Sequence, residues 1–237
     1  KIFGFDNLNK FYSVKLKRKR LSNLKKNKNF KFYKIDLSNK KKLSNLFEKE
    51  KINIVFHFAA QAGVRYVSSH PEKFIHSNIL GFHNLIDVSK NHNIKKFFYA
   101  SSSSVYGDSS KFPVDENSEL NPKNIYGLSK KLNEEYIKIN SNKKTQYIGL
   151  RFFTVYGEWG RPDMLILKYL NYARKNKTLY LNNSGNHWRD FTYIDDVTKI
   201  LSKLIKKKFR ENEIYNICSN RPILIKKLIS YLNKKTG

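Results

Sequence analysis

Apolar and polar residues alternate along the chain with a period that switches between that of a strand and that of a helix. Residues 30–35 alternate as a strand does, residues 43–51 repeat as a helix does, and residues 52–58 form a nearly continuous apolar run. Such a run is expected of a strand covered on both faces, as in a parallel sheet. The order strand, helix, strand predicts βαβ units.

The same alternation continues towards the middle of the chain. It predicts helices over 71–90 and 124–140 and strands over 96–100 and 146–153. We therefore predict an α/β fold, with a Rossmann-like, doubly wound parallel sheet over residues 1–153. Beyond residue 154 the pattern loosens into loops, a helix over 164–174 and short strands, which favours a smaller substrate-binding lobe over 154–237.

Polar or small residues follow the predicted strands at the points where the strands end. These positions are Asp6 and Asn7, Asp36, the segment 59–63, the serines 101–104, and Thr154. In a parallel sheet, ligands bind at the edge formed by the carboxyl ends of the strands. Small residues let a flat ligand approach the backbone, and an acid at a strand end can accept both hydroxyls of an adenosine ribose. The shared position therefore predicts a dinucleotide site at this edge.

Tyr126 and Lys130 are the leading candidates for catalysis. They are four residues apart and therefore share one face of the predicted helix. A phenol whose pKa is lowered by a nearby ammonium, with a serine hydroxyl to share the proton, can act as a general acid and base at a carbinol carbon. Taken alone, the pentapeptide 126–130 is more typical of an exposed helix face than of a catalytic pair. The serines upstream of it favour the catalytic interpretation.

Composition narrows the class of protein. The 237 residues are 40% apolar, enough for a core, and no apolar stretch is long enough to span a bilayer. The single cysteine, Cys218, excludes an intramolecular disulfide and favours a reducing, cytoplasmic setting. We predict no metal site. His57 is predicted to be a core residue. The net charge of +28 is spread over separate elements, so compositional drift explains it better than a dedicated nucleic-acid surface.

A glycine-rich turn between the first strand and the first helix is absent from the sequence. Dinucleotide folds use this turn to hold the pyrophosphate, and the acid that reads the ribose follows it by about 20 residues. Here the candidate acid is Asp6. We therefore expect the chain to lack an N-terminal segment. Because it stops at Gly237 within a helical pattern, we expect an incomplete C-terminus as well.

Several motifs give the chain a specific resemblance to a known family. They are DNLN at 6–9, AAQAGVRY at 59–66, SSSSVYG at 101–107, YGLSK at 126–130, RFFTVYG at 151–157, WGRPDM at 159–164 and RDFTYIDD at 189–196. With these motifs the chain resembles the extended short-chain dehydrogenases/reductases. Within that family it is most similar to the nucleotide-sugar epimerases that act at C4 of UDP-glucuronate. The resemblance covers almost the whole chain.

The resemblance implies roles for individual residues. It implies contacts to NAD from Asp6, Asn7, Asp36, Leu37, Ala59, Ala60, Gln61, Asn78, Ser101, Tyr126, Lys130 and Phe153. It implies catalysis by Tyr126 as the base, Lys130 as its partner and Ser102 as the hydroxyl. It implies contacts to the substrate from Arg65, Ser102, Ser104, Thr154, Arg161 and Arg189. Arg189 would face the diphosphate, and either Arg65 or Arg161 would read a sugar carboxylate.

The resemblance also implies a reaction and its alternatives. UDP-glucuronate would become UDP-galacturonate, a precursor of surface glycans, through transient oxidation at C4 and return of the hydride to the opposite face. Related dehydratases and decarboxylases carry carboxylates just before the Val-Tyr-Gly, where this chain has Ser103 and Ser104.

Another epimerase, a dehydratase or a decarboxylase of the same family is the nearest alternative. A non-catalytic, basic RNA-binding protein is the alternative from another class, which the intact Tyr126 and Lys130 disfavour. We expect a UDP-sugar and, at full length, a second copy of the chain as partners, and no membrane.

Overall fold

Parallel strands with intervening helices build most of the structure. The computed structural model describes residues 1–63, 70–109 and 111–236. They divide into two compact units, of which the first combines residues 1–151 with residues 209–216 and the second contains the remainder. The segment 209–216 lies in the first unit, whereas the sequence pattern predicts it in the C-terminal lobe.

The first unit begins with alternating strands and helices. Its strands are β1 (Ile2–Asp6), β2 (Phe30–Lys34), β3 (Ile54–His57), β4 (Lys96–Ser102) and β5 (Gln146–Phe152), and its helices are α1 (Val14–Leu24), α2 (Lys40–Lys49), α3 (Pro71–Phe74), α4 (Gly81–Lys90) and α5 (Ile125–Asn140). Strands β1 and β2 pair in parallel, with Asp6 opposite Lys34. A second sheet has the order β3-β4-β5-β8, in which β8 is Glu213–Ile217 and β3 is parallel to β4. The predicted α/β class is thus confirmed.

Helices α2 and α4 pack together because their apolar residues repeat at helical spacing. Leu43 and Phe47 of α2 are buried, as are Phe82 and Leu85 of α4, and they join Phe97 of β4 in one hydrophobic cluster. Full burial of each such side chain contributes about 1.5–3 kcal/mol to folding. This hydrophobic cluster fixes the position of the strands whose ends carry the polar residues.

Strand β3 differs from the expectation that both its faces are covered. Val55 and His57 are buried, whereas Ile54 and Phe56 are each 36% exposed. Side chains alternate between the faces of a strand, so in the described part of the chain only one face of β3 is well covered. On the other face, Phe56 stacks on Phe98 with 4.6 Å between ring centroids. The apolar run predicted the strand correctly but not the exposure of its second face.

The predicted helix over 71–90 is interrupted by a π-helical segment, Ile75–Leu80, between α3 and α4. Such segments are rare and frequently lie at functional sites. This one contains Asn78, which is 1% exposed.

The second unit is smaller. It contains strands β6 (Thr154–Tyr156), β7 (Trp188–Tyr193) and β9 (Pro222–Leu224) and helices α6 (Leu165–Ala173), α7 (Ile194–Lys206) and α8 (Ile225–Thr236). β6 is parallel to β7, and β7 is antiparallel to β9. Across residues 1–63, 70–109 and 111–236, no helix has both the length and the apolar character needed to cross a membrane.

Candidate active site

Helix α5 begins where a cap and a close backbone contact fix its first turn. The Asn124 side-chain oxygen accepts a hydrogen bond from the Gly127 N–H at 2.8 Å. A Cβ atom on Gly127 would come within 2.5 Å of the Ser104 carbonyl oxygen, so only glycine permits this approach. The contact fixes the start of α5, and with it Tyr126, against the turn that follows β4.

Lys130 lies one turn after Tyr126 and is 1% exposed. Its Nζ is 5.8 Å from the centroid of the Tyr126 ring, within reach of a cation–π contact. Burial lowers the pKa of Lys130 to about 8. Among the described residues, no carboxylate pairs with this ammonium.

The serines at the end of β4 have different hydrogen-bond partners. Ser102, 8% exposed, accepts a hydrogen bond from the Ser104 N–H at 3.1 Å and so caps the 3₁₀ turn Ser103–Val105. The Ser101 hydroxyl donates instead to Oε1 of Glu134. The Ser101 proton is therefore committed within the protein, whereas among the described residues none accepts a hydrogen bond from the Ser102 hydroxyl, which lies at the end of the strand.

Asn78 connects the loop after β3 to α5. Its side-chain oxygen accepts from the Gln61 N–H at 2.8 Å, and its amide nitrogen donates to the Gln61 carbonyl at 2.9 Å and to the Ser129 hydroxyl at 3.2 Å. Ser129 in turn donates to the Tyr126 carbonyl at 2.7 Å. Asn78 is thus used in positioning the backbone on either side of the candidate site, and Gln61, 4% exposed, is held in place by it.

Polar side chains join the ends of β1 and β2. Asn7 donates to Asp36 at 2.7 Å, and the Ser38 N–H and hydroxyl donate to the other Asp36 oxygen at 3.0 and 2.8 Å. Partial burial acts to raise the pKa of Asp36, but the hydrogen bonds from Asn7 and Ser38 outweigh it and lower that pKa. Asp6 is exposed at the end of β1 and accepts from the Leu8 N–H at 2.6 Å.

The remaining residues predicted to meet the cofactor differ in exposure. The Leu37 side chain belongs to the core, at 6% exposure, and its carbonyl accepts from Asn84 at 3.1 Å. Ala59 and Ala60 follow β3 and are partly exposed. His57 is 3% exposed, as predicted for a core residue; burial, and then Lys130, lower its pKa to about 3, so it is neutral.

The second unit holds the other predicted substrate residues. Thr154 begins β6 and pairs with Phe191 of β7, while Phe153 donates its N–H to the Ile217 carbonyl at 3.2 Å. Arg189 is exposed on β7 and donates to the Trp188 carbonyl at 2.7 Å.

The Arg161 guanidinium already binds a carboxylate within its own loop. Its Nε and Nη2 donate to the two oxygens of Asp163 at 3.0 and 2.8 Å. Arg65, the other residue predicted to read a sugar carboxylate, lies outside the described residues.

A buried ion pair that was not predicted from the sequence lies beside the candidate site. Arg151, at the end of β5, donates from Nε and Nη2 to the two oxygens of Glu134 on α5, at 3.0 and 2.8 Å. Arg151 also donates to the Tyr106 hydroxyl at 2.8 Å. Burial acts to lower the pKa of Arg151, but the bonds to Glu134 outweigh it and raise that pKa above its usual value. A glutamate one turn beyond Lys130 and an arginine ending an apolar strand were the available signals.

The residues present fit a dinucleotide. Burial penalises the charge of the Lys130 ammonium, and ribose hydroxyls would offer it acceptors. The strand-end carboxylate of Asp6 suits a ribose in the same way.

The comparisons with known proteins identify the family. The sequence matches the NAD dependent epimerase/dehydratase family over residues 5–218. The chain belongs to this family. It is 38% identical over 255 residues to Protein CapI of Staphylococcus aureus, covering 100% of this chain and 76% of CapI. It is 38% identical over 243 residues to the UDP-glucuronate 4-epimerase of Thermodesulfobacterium geofontis, covering 100% of this chain and 73% of that protein.

A solved structure of the same family supports the fold. The UDP-glucuronic acid 4-epimerase from Bacillus cereus, in complex with UDP-glucuronic acid and NAD, matches with a TM-score of 0.91 and 31% identity over 98% of this chain and 74% of that chain. As in the other members of this family, NAD is the cofactor of the chain.

Proposed function

We propose that the chain catalyses NAD-dependent epimerisation of UDP-glucuronate to UDP-galacturonate at C4. The observation that carries the proposal is the pairing of Tyr126 with a buried Lys130 on a helix whose first turn packs against the serines at the end of β4. The similarity to enzymes that are named for this reaction supports the choice of substrate.

In this proposal Tyr126 moves the proton. Its phenolate accepts the proton of the C4 hydroxyl and later returns it, and the Ser102 hydroxyl holds the same oxygen. Lys130 stabilises the phenolate by its positive charge. With its pKa lowered to about 8 by burial, Lys130 is still mostly protonated at neutral pH. NAD, when bound, accepts the hydride from C4 and supplies it again to the opposite face.

Simple return of the hydride is favoured by the turn after Ser102. Ser103 and Ser104 occupy this turn, and neither carries a carboxylate that could promote elimination or loss of CO₂ from an oxidised sugar. A dehydratase or a decarboxylase would release water or CO₂, which product analysis detects.

Residues of the second unit are proposed to bind the rest of the substrate. Thr154 and Arg189 would hold the nucleotide sugar, with the exposed Arg189 guanidinium on the diphosphate. Arg161 would exchange Asp163 for the sugar carboxylate, which offers the same two oxygens to its fork.

The test compares two Tyr→Phe variants on one helix. Tyr126→Phe should lower kcat by about 10²–10⁴-fold and leave UDP-glucuronate binding intact, because only the proton transfer is removed. Tyr136→Phe, in which the lost hydroxyl contacts His83 at 2.8 Å, is the matched control and should turn over normally. UDP-galacturonate is measured by chromatography. Near wild-type turnover of Tyr126→Phe would contradict the assignment of Tyr126 as the catalytic base.

We also propose that the protein, at full length, acts as a cytoplasmic homodimer. Helix α5 exposes apolar side chains at helical spacing: Ile125, Leu128, Leu132 and Ile139 are 38%, 46%, 44% and 81% exposed. A second copy would cover this stripe. Light scattering that gives the mass of a monomer at micromolar concentration, or recovery of the protein outside the cytoplasmic fraction, would contradict the proposal.

A further inference from the structure

Two charged residues of the first unit have no part in the proposed reaction and are nevertheless buried. The side chains of Glu134 and Arg151 are 0% and 4% exposed. The two oxygens of Glu134 receive the guanidinium fork of Arg151 and the Ser101 hydroxyl. The carboxylate therefore receives hydrogen bonds from Arg151 and Ser101, and among the described residues it receives none from Lys130.

Lys130 is the partner that the helix alone would give to Glu134. Residues at i and i+4 are neighbours on a helix, and Lys–Glu pairs at this spacing attract each other. Helical side chains lean towards the N-terminus, so Glu134 leans over the turn that carries Lys130. Both residues are buried, where charges interact more strongly than in water. The structure nevertheless pairs Glu134 with Arg151.

The histidine that feels the charge of Lys130 cannot act as its counter-ion. His57, on β3, is neutral because burial and then Lys130 lower its pKa to about 3. In the described part of the chain, Glu134 is thus the carboxylate that shares a buried helix face with Lys130.

We propose that Arg151 is a positioning residue whose guanidinium holds the Glu134 carboxylate away from Lys130, so that the ammonium stays available to Tyr126 and to the ligand. This inference rests on the proposed function, in which Tyr126 must ionise. Without Arg151 the carboxylate turns to Lys130 and offsets its charge. The phenolate of Tyr126 then loses stabilisation and forms only at higher pH.

The test is a phenolate titration of the ligand-free chain. Ultraviolet absorbance is followed against pH, and the signal of Tyr126 is isolated as the difference from a matched protein that also carries Tyr126→Phe. In Arg151→Met the titration of Tyr126 should move to higher pH by about one unit, the size of effect that a nearby charge produces. In Arg151→Met/Glu134→Gln it should return to the wild-type position, because the competing carboxylate is gone.

Two further variants serve as a substitute and as a control. If Arg151→Met does not fold, Arg151→Lys keeps a positive charge without the planar fork and should give a smaller shift in the same direction. Glu135→Gln removes the neighbouring carboxylate, which is 42% exposed and paired with Lys138, and should leave the titration unchanged.

An unchanged titration of Tyr126 in folded Arg151→Met and Arg151→Lys would overturn the inference, as would a shift that the double substitution does not reverse. A purely structural role for Arg151 predicts lower stability without any pH shift. The titration contains no UDP-sugar, so its outcome is separate from that of the proposed function. A wild-type chain that titrates as expected but does not form UDP-galacturonate would refute only the latter.

Discussion

Two arginine–carboxylate pairs, one in each unit, share the same geometry and differ in their surroundings. Arg151 donates to Glu134 at 3.0 and 2.8 Å, and Arg161 donates to Asp163 at 3.0 and 2.8 Å. The side chains of the first pair are 4% and 0% exposed, whereas those of the second are 28% and 42% exposed. Access to water, rather than hydrogen-bond length, is what separates the two pairs.

This difference decides what each arginine can do. Removing one member of a buried pair leaves a charge without solvent or partner, so the pair is fixed once the protein has folded. Water screens and replaces the members of an exposed pair, so such a pair contributes little and can exchange partners. The buried pair therefore suits the positioning of neighbouring groups, and the exposed pair suits the binding of an anionic ligand.

The largest expected effect comes from breaking the buried pair. Arg151→Met should lower the free energy of unfolding by about 3–5 kcal/mol, because Glu134 is left buried and unpaired. Arg161→Met, the same substitution in the exposed pair, should change it by less than about 1 kcal/mol. Urea unfolding followed by circular dichroism measures both values. Equal losses in the two variants would show that exposure does not govern the strength of these pairs.

Removing Lys130, a buried cation that pairs with no carboxylate among the described residues, should raise the free energy of unfolding rather than lower it. Burial lowers the pKa of Lys130 from the usual 10.5 to about 8. Below pH 8 both the folded and the unfolded chain hold the proton, and the full cost of burying the charge, about 3 kcal/mol, is present. Between pH 8 and 10.5 only the unfolded chain holds it, so the free energy of unfolding of the wild type rises with pH across this window.

Lys130→Met should therefore stabilise the ligand-free chain by about 3 kcal/mol at pH 7 and lose epimerase activity. Its advantage over the wild type should shrink between pH 8 and 10.5. Lys138→Met, on the same helix but with a 59% exposed side chain, serves as the control and should show neither effect. A wild type that is as stable as Lys130→Met at pH 7 would mean that the ammonium has an acceptor within the chain.

The sequence alone was enough to predict most elements of the first unit and the helix that carries Tyr126 and Lys130. Periodicity placed these strands and helices, because a helix and a strand repeat their apolar residues differently, but it did not place α1 or β8. Spacing placed Tyr126 and Lys130 on one helix face, because four residues make about one turn. Asn78 was predicted from the family resemblance, and in the structure its side chain forms hydrogen bonds with the Gln61 backbone.

Contacts between distant elements could not be predicted in this way. Glu134 and Arg151 are 17 residues apart on a helix and a strand, and their pairing depends on how the two elements pack. The exposure of Ile54 and Phe56 depends on what covers β3, which an apolar run does not specify. Both features are properties of packing rather than of local pattern.

The smallest expected effect concerns the exposed pair and its proposed ligand. Arg161→Gln should raise KM for UDP-glucuronate about tenfold, equivalent to about 1.4 kcal/mol, because a screened guanidinium contributes modestly to carboxylate binding. The dissociation constant of UDP-glucose, which has no carboxylate, should stay the same. Asp163→Asn, which frees the Arg161 fork from its internal competitor, should leave KM for UDP-glucuronate unchanged or lower it. A parallel rise for both sugars in Arg161→Gln would show that Arg161 shapes its loop and does not bind the carboxylate.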